Sequence, residues 1–411
     1  MENARPVKVL LVSSHPVQYA AHVYRLYSAD PRLDVTVAYC SLQGAEPGID
    51  PEFGVEVAWD VPLLSGYCWV HPPNRSPRPS LRGFWGLLNP GLWGLVRNGR
   101  FDVVVCYGYG AASFWIAALA AKASGAALVF TTDAHTLAPR DGARWKAFAK
   151  RVVLPLVFRL ADGAFGPSTG AVGLLRRLGV GAGSVFLTPF VVATEFFSKG
   201  AVGTDRARVR ATWGVSPDAF VALFCGKLVP WKRPQDLLEA ISRSEGVYAV
   251  FAGDGPLRSA LQTRAAQPNS AGKAKFLGFV NQTMLPQTYA ASDVLVLPSE
   301  YEAFGLVVNE AFACGLPAVV SAACGSAEDL VRNGETGYVV PVGAVDVLAE
   351  CLRTLAADAK LRAEMTRRAR ARIADWGPAQ NAEAFAHACL VLAARRNPPS
   401  TSHTAQSSPD A

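Results

Sequence analysis

Along the chain, short runs of apolar residues alternate with longer stretches whose apolar positions recur at helical spacing. In the first half the runs are "VKVLLVSS", "LDVTVAY", "FDVVVCYG", "ALVFTTD" and "SVFLTPF". In the second they are "FVALFCGK", "VYAVFAGDG", "KAKFLGF", "VLVLPS" and "PAVVSA". These runs are largely continuous rather than alternating, as expected of strands buried on both faces. Strand–helix alternation at this spacing predicts parallel sheets covered by helices on both sides. A small, polar segment, "FFSKGAVGTD" at 196–205, separates the two sets and reads as the linker. The expected fold class is therefore α/β, with two Rossmann-like, doubly wound parallel-sheet domains. Ligands bind beyond the carboxyl ends of such strands, so two facing domains would place a site in the cleft between them.

The strand-to-helix junctions of the second half carry the candidate chemistry. "SDVLVLPS" ends a strand, "GLVVNEAFACG" reads as a helix closed by Gly315, and "EAF" lies between. The backbone N–H groups of Phe304, Gly305 and Leu306 then stand at a helix N-terminus, which suits a diphosphate. Gly305 would let a ligand approach the backbone closely. Glu302, just ahead of the turn, is placed to accept hydrogen bonds from sugar hydroxyls. Glu310, two turns inside, is placed to reach a ribose. A capped helix with two solvated acids would show the same spacing. In "FCGKLVPWKRPQDLLEA" the strand ends at Gly226, two lysines follow five apart, and a helix starts near Pro234. Lys227 and Lys232 bracket that loop, where two ammonium groups could hold a diphosphate. Two anion sites on neighbouring strand ends of one domain make the functional reading the stronger one.

These residues resemble retaining glycosyltransferases of family 4 (glycosyl transferases group 1), which have the GT-B fold. "CGKLVPWKRPQDLLEA", "FAGDGP", "FLGFV", "DVLVLPS", "EAFGLVVNEAFACGLPAVVS" and "GETGYVV" follow in that family's order over about residues 215–345. The resemblance implies that Glu302 binds the donor sugar near its reacting carbon and that Glu310 binds the ribose. It implies that Lys227 and Lys232 bind the diphosphate, with Lys227 replacing the more usual arginine. The Phe304–Leu306 amides would contact sugar and phosphate, and Phe279 and Val280 would line the base pocket through their backbone. "SSHPVQYAAHVYRL" resembles the family's acceptor-facing loop and would aim His15 and Gln18 into the cleft. "FTTDAHTLAP" places His135 where the family has a histidine beside the donor sugar, with Asp133 as its rival in the same turn. Near Ala193, where the family commonly has an aspartate, the chain departs from the pattern.

The resemblance also implies an organisation: an acceptor-side domain over 1–200, a donor-binding domain over 201–375, and a helix over 376–395 crossing back to the first. The polar, Pro- and Ser-rich end, 396–411, reads as disordered. With no D-x-D carboxylate pair, no metal or other cofactor is expected, and the lysines and helix N-terminus would neutralise the leaving group. The family's front-face route, in which the departing phosphate takes the acceptor's proton, is the expected mechanism. A GT-B sugar-nucleotide epimerase and a non-catalytic nucleotide-sugar-binding subunit remain as alternatives. "VVVCYGYGAASFW", with Asp133 about 20 residues on, imitates a dinucleotide fingerprint, but it lacks the third glycine and does not follow the first strand.

Composition narrows the partners. The net charge is +7, and residues 1–200 hold 19 Lys/Arg against 13 Asp/Glu while the rest is nearly balanced. A basic first half suits an anionic partner or a solubilising surface. We expect a nucleotide-sugar donor, an acceptor that is a saccharide, lipid-linked glycan or small molecule, and no nucleic acid. In "ARWKAFAKRVVLPLVFRL" the residues Trp145, Phe148, Val152, Val153 and Leu156 share one helical arc, edged by Arg144 and Arg151 on one side and Lys146 and Lys150 on the other. That suits a helix on an anionic membrane surface and equally an ordinary covering helix, which is the preferred reading. The longest apolar stretch, "FWIAALAAKASGAALVF", is broken by Lys122, Ser124 and Gly125 and falls short of the roughly 20 residues a span needs. The scattered cysteines form no C-x-x-C pair, and no signal peptide is evident, so the chain reads as cytoplasmic, with peripheral contact at the cytoplasmic face of the inner membrane left open.

Overall fold

A computed structural model describes residues 5–49, 56–138 and 144–396. Two parallel sheets dominate it. The first has seven strands in the spatial order Cys68–Val70, Leu33–Tyr39, Val7–Ser13, Val103–Cys106, Ala127–Thr131, Gly163–Gly166 and Val185–Leu187. The second has six: Ala274–Gly278, Val247–Ala252, Phe220–Cys225, Val294–Leu297, Ala318–Ser321 and Gly337–Val340. In each, the first strand lies inside the sheet, paired on one side with the second and on the other with the fourth. The winding therefore reverses beside that strand, and a crevice opens beyond its carboxyl end.

Three strands escape the apolar pattern. Cys68–Val70 is only three residues long and half exposed, and Gly163–Gly166 reads Gly-Ala-Phe-Gly, with little β-branched character. Gly337–Val340 is an edge strand that begins on a glycine at φ +157°, where a Cβ would sit 1.8 Å from the Ala318 carbonyl oxygen.

Along Val7–Ser13, Val9 and Leu11 face one side and Leu10 and Val12 the other, all fully buried. The Leu10 face meets Leu92, Phe114, Leu154, Phe158 and Leu174, from helices Gly91–Gly99, Ala112–Ser124, Arg144–Leu160 and Thr169–Arg177. The Val9 face is covered by Gln18–Ala29 and by Pro378–Arg396. That last helix is fixed to the first sheet's own elements. Phe385 stacks on Tyr27 at 3.8 Å between centroids, the Tyr27 hydroxyl donates to Asn381 at 2.6 Å, and Arg396 pairs with Asp162 at 2.5 Å. The helix thus includes Arg396, which sequence reading assigns to the disordered tail; 397–411 lie outside the described residues.

The segment expected as a linker is largely structured. Thr194–Ala201 is a helix whose Phe197 is buried against Tyr289 of the second unit, followed by a turn and helix Arg206–Trp213. Asp205 caps the latter by accepting from the Arg208 N–H. The helix Arg144–Leu160 does cover the first sheet, but with a face other than the apolar arc read from sequence. It buries Leu154, Val157 and Phe158 and leaves the arc through Trp145, Phe148, Val152 and Leu156 exposed. The apolar stretch from Phe114 to Phe130 divides into helix Ala112–Ser124, closed by Gly125 at φ +78°, and strand Ala127–Thr131. Among the described residues no helix is long and apolar enough to cross a membrane, and all eight cysteines are free.

Candidate functional site

At the carboxyl edge of the second sheet, the loops after Phe220–Cys225 and Val294–Leu297 are joined by their backbones. The Glu300 and Tyr301 N–H groups both donate to the Trp231 carbonyl, at 2.8 and 3.4 Å. The join brings Lys232 and Glu302 into a salt bridge of 2.5 Å, with both side chains largely shielded from water. Burial disfavours the Lys232 ammonium, but the Glu302 charge and hydrogen bond outweigh it, so its pKa is raised. Arg233, the next residue, sits at φ +50°, in the left-handed region, and is held there by two hydrogen bonds to Asp236 of 2.7 and 3.0 Å. Helix Pro234–Ser242 then starts on a proline at its first position.

Gly305 adopts φ +96°, and a Cβ there would lie 2.8 Å from Leu297 and 2.9 Å from the Cys324 sulfur. The glycine is thus required by backbone conformation and packing beneath the turn, rather than by ligand approach alone. The turn is tied from below, the Gly325 N–H donating to the Glu302 carbonyl at 3.0 Å and the Ser326 N–H to that of Phe304 at 2.8 Å. Helix Val307–Ala313 is shorter than expected, so Glu310 lies in its first turn and not two turns inside. The Tyr289 hydroxyl, fully buried, donates to its carboxylate at 2.6 Å. Burial pushes the Glu310 pKa up to about 7 despite that bond.

Trp231, Lys232, Tyr301, Glu302 and Glu310 line a cleft of about 1200 Å³ with Gly226, Lys227, Phe279 and Val280, and the first unit supplies His15, Gln18, Gln43, Trp59 and Arg82 to it. An adjoining recess of about 610 Å³ shares Gln18, Lys232, Glu302 and Glu310. It is lined further by Tyr19, His22, Arg25, Asp60, Asp133 and the turn Phe304, Gly305 and Leu306. His135 is the one expected site residue that lines neither. Its ring stacks on Tyr301 at 5.9 Å, its Cβ lies where a Cβ on Gly170 would be 3.0 Å away, and its carbonyl accepts from Arg177. The fold brings Asp133, the rival in that turn, to the recess. Among the described residues, no three His, Cys, Asp or Glu cluster as metal ligands.

Two features were not singled out from sequence. His22 lies one turn beyond Gln18 on the same helix face, a spacing that could have flagged it. Burial and the Arg25 charge push its pKa down to about 4, so the ring is neutral at pH 7. The other is a clasp across the cleft. Asp60 accepts from the Thr283 N–H and hydroxyl, Asn281 donates to the Ala58 carbonyl at 2.6 Å, and Trp59 packs edge-on against Phe279 at 5.7 Å. No local pattern marks Asp60, whose partners come from a distant part of the chain.

Two doubly wound units, meeting across a cleft whose floor is the Lys232–Glu302 pair, can now be set beside known proteins. Residues 205–372 match the family model for glycosyl transferases group 1, and residues 16–190 match that for the glycosyl transferase 4-like domain. The chain belongs to the group 1 (family 4) glycosyltransferases, with the GT-B fold. Over 157 residues it is 37% identical to a D-inositol 3-phosphate glycosyltransferase of Mycobacteroides abscessus, covering 37% of this chain and 35% of that relative. Over 178 residues it is 33% identical to the lipopolysaccharide core biosynthesis glycosyltransferase LpsE of Rhizobium meliloti, covering 43% and 50%. These matches span about a third to a half of the relatives' length. The crystal structure of Anabaena HepE in complex with UDP and glucose superposes with a TM-score of 0.73 at 20% identity, covering 94% of this chain and all of that one.

Proposed function

We propose that the protein is a retaining, metal-independent glycosyltransferase that moves a sugar from a nucleotide-sugar donor to an acceptor hydroxyl. The observation that carries this reading is the convergence of Lys227, Lys232, Glu302 and Glu310 on one cleft, with His15 and Gln18 from the first unit. Two ammonium groups suit a diphosphate, and the carboxylates suit sugar and ribose hydroxyls. The Anabaena structure contains UDP and glucose, which makes a uridine diphosphate sugar the first donor to test.

The donor's diphosphate competes with Glu302 for Lys232, and its arrival leaves the Glu302 carboxylate beside the anomeric carbon. The acceptor hydroxyl oxygen bonds to that carbon as the bond to the diphosphate oxygen breaks. The leaving oxygen, neutralised by Lys227 and Lys232, takes the hydroxyl proton on the same face, giving the glycoside and the nucleoside diphosphate with configuration retained. Positive charge that develops on the sugar is stabilised by Glu302. The acceptor enters through the recess walled by Gln18, Tyr19, His22, Arg25 and Asp133.

The test is a thermal-shift screen of nucleoside diphosphates and nucleotide sugars, followed by product analysis in EDTA. We expect stabilisation by a nucleoside diphosphate and its sugar, and a glycoside of retained anomeric configuration. No shift with any nucleotide, an inverted product, or an absolute requirement for a divalent metal would each contradict the proposal.

A further inference from the structure

We propose that helix Arg144–Leu160 docks this protein on an anionic lipid bilayer, with its apolar stripe seated at the boundary between headgroups and acyl chains. Trp145, Phe148, Val152, Val153, Leu156 and Leu160 are between 49% and 71% exposed. At 100° per residue they fall within about 140° of one another. The opposite side of the helix holds Leu154, Val157 and Phe158, each at most 6% exposed, so the core is complete without the stripe. A monomer that leaves a row of large apolar side chains in water carries an interaction surface.

Charge selects the occupant. The helix carries Arg144, Lys146, Lys150, Arg151 and Arg159 and no Asp or Glu. On the same wheel Lys146 and Lys150 border the stripe on one side and Arg151 on the other, while Arg159 falls near the stripe itself. Basic borders around aromatic and aliphatic residues suit an interfacial helix, whose cations meet anionic headgroups while the stripe meets acyl chains. A second copy packed here would set cations against cations, which disfavours self-association. With 17 residues the helix is about 25 Å long, enough to lie along a surface.

The test is flotation of the full chain with vesicles of phosphatidylcholine alone or mixed with phosphatidylglycerol. We expect binding to the mixed vesicles that weakens as salt rises, and little binding to phosphatidylcholine. The double variants Trp145→Ser/Phe148→Ser and Lys146→Glu/Lys150→Glu should each lower the partition coefficient at least about tenfold. All four side chains lie outside the core, so both variants should keep the wild-type circular dichroism, melting temperature and nucleoside diphosphate response. That response separates this inference from the proposed activity. It is overturned by wild-type protein that stays at the bottom of the gradient with phosphatidylglycerol vesicles. Variants that float as wild type does would overturn it too, as would light scattering that finds a dimer dissolved by Trp145→Ser/Phe148→Ser without any vesicle binding.

Discussion

Replacing Glu310 by Gln should stabilise the protein at alkaline pH and leave it nearly unchanged at pH 5. The carboxyl is buried beside Tyr289, and its pKa stands at about 7 against an ordinary 4.5. A native pKa above the unfolded one means that, between those values, the folded protein keeps a proton that the unfolded chain has lost. Stability therefore falls as pH rises from about 4.5 to 7 and is level above that. At about 1.4 kcal/mol per pKa unit, the penalty for ionising this group in place reaches about 3 kcal/mol. Glutamine has no proton to lose and can still accept from Tyr289, so the variant escapes the penalty. Its own amide hydrogens need acceptors, which makes about 3 kcal/mol an upper figure. The assay is differential scanning calorimetry of both proteins without donor, at steps from pH 5 to 8.5. The melting temperatures should diverge progressively, with the variant several degrees higher at pH 8. A difference that stays constant with pH would show that Glu310 ionises normally, and the reasoning from its burial would fail. The same substitution should raise the donor's KM and weaken nucleoside diphosphate binding. It should also remove any tightening of that binding which the wild type shows between pH 6 and 8.

Other outcomes follow from the neighbouring groups. Lys227→Ala and Lys232→Ala should each weaken nucleoside diphosphate binding by about 1.5–3 kcal/mol, the scale of a charge-assisted hydrogen bond; unchanged calorimetric affinity in the double variant would move the diphosphate elsewhere. Glu302→Gln should reduce turnover by about 10²–10³-fold with a much smaller change in donor affinity, because its charge matters most as the sugar becomes cationic; equal losses in both would indicate a ground-state contact instead. Transfer should persist in excess EDTA, and activity lost to chelation and restored by magnesium would refute the role given to the lysines. Asp60→Ala should loosen the clasp onto Thr283 and broaden the particle in small-angle scattering, while a profile identical to the wild type's would show that the clasp does not hold the units together.

What could be read beforehand divides along physical lines. Strands such as Val103–Cys106 and Leu33–Tyr39 were legible because both faces are buried and the apolar run is nearly unbroken. Gly163–Gly166 was not, because its place between two neighbours in the sheet, rather than its side chains, makes it a strand. The two lysines and two glutamates stood out because each sits at a strand-to-helix junction, and parallel sheets gather those junctions on one edge. The direct pairing of Lys232 with Glu302 depends on the Trp231 carbonyl joining two loops, which no local pattern records. Tyr289 was missed for a similar reason, since its hydroxyl reaches Glu310 only after a separate helix packs against Val307–Ala313. A position beside a strand end does not say where a ring turns, and the His135 ring turns onto Tyr301.

The return of Pro378–Arg396 to the first sheet sets an order for biosynthesis. The strands of the first sheet have all been made by Leu187, yet the face carrying Val9 and Leu11 still lacks the helix that supplies Phe385 and Leu392. Everything between Arg206 and Ala374 leaves the ribosome before that helix does, so the second unit can close its own core first. During that interval Tyr27 has neither its stacking partner Phe385 nor its acceptor Asn381, and the nascent first unit presents a row of uncovered aromatic and aliphatic groups. A ribosome stalled within the second unit should hold a chain whose early half is cut readily by protease, and release past Arg396 should protect it. A helix made after the second unit would thus finish the domain begun before it.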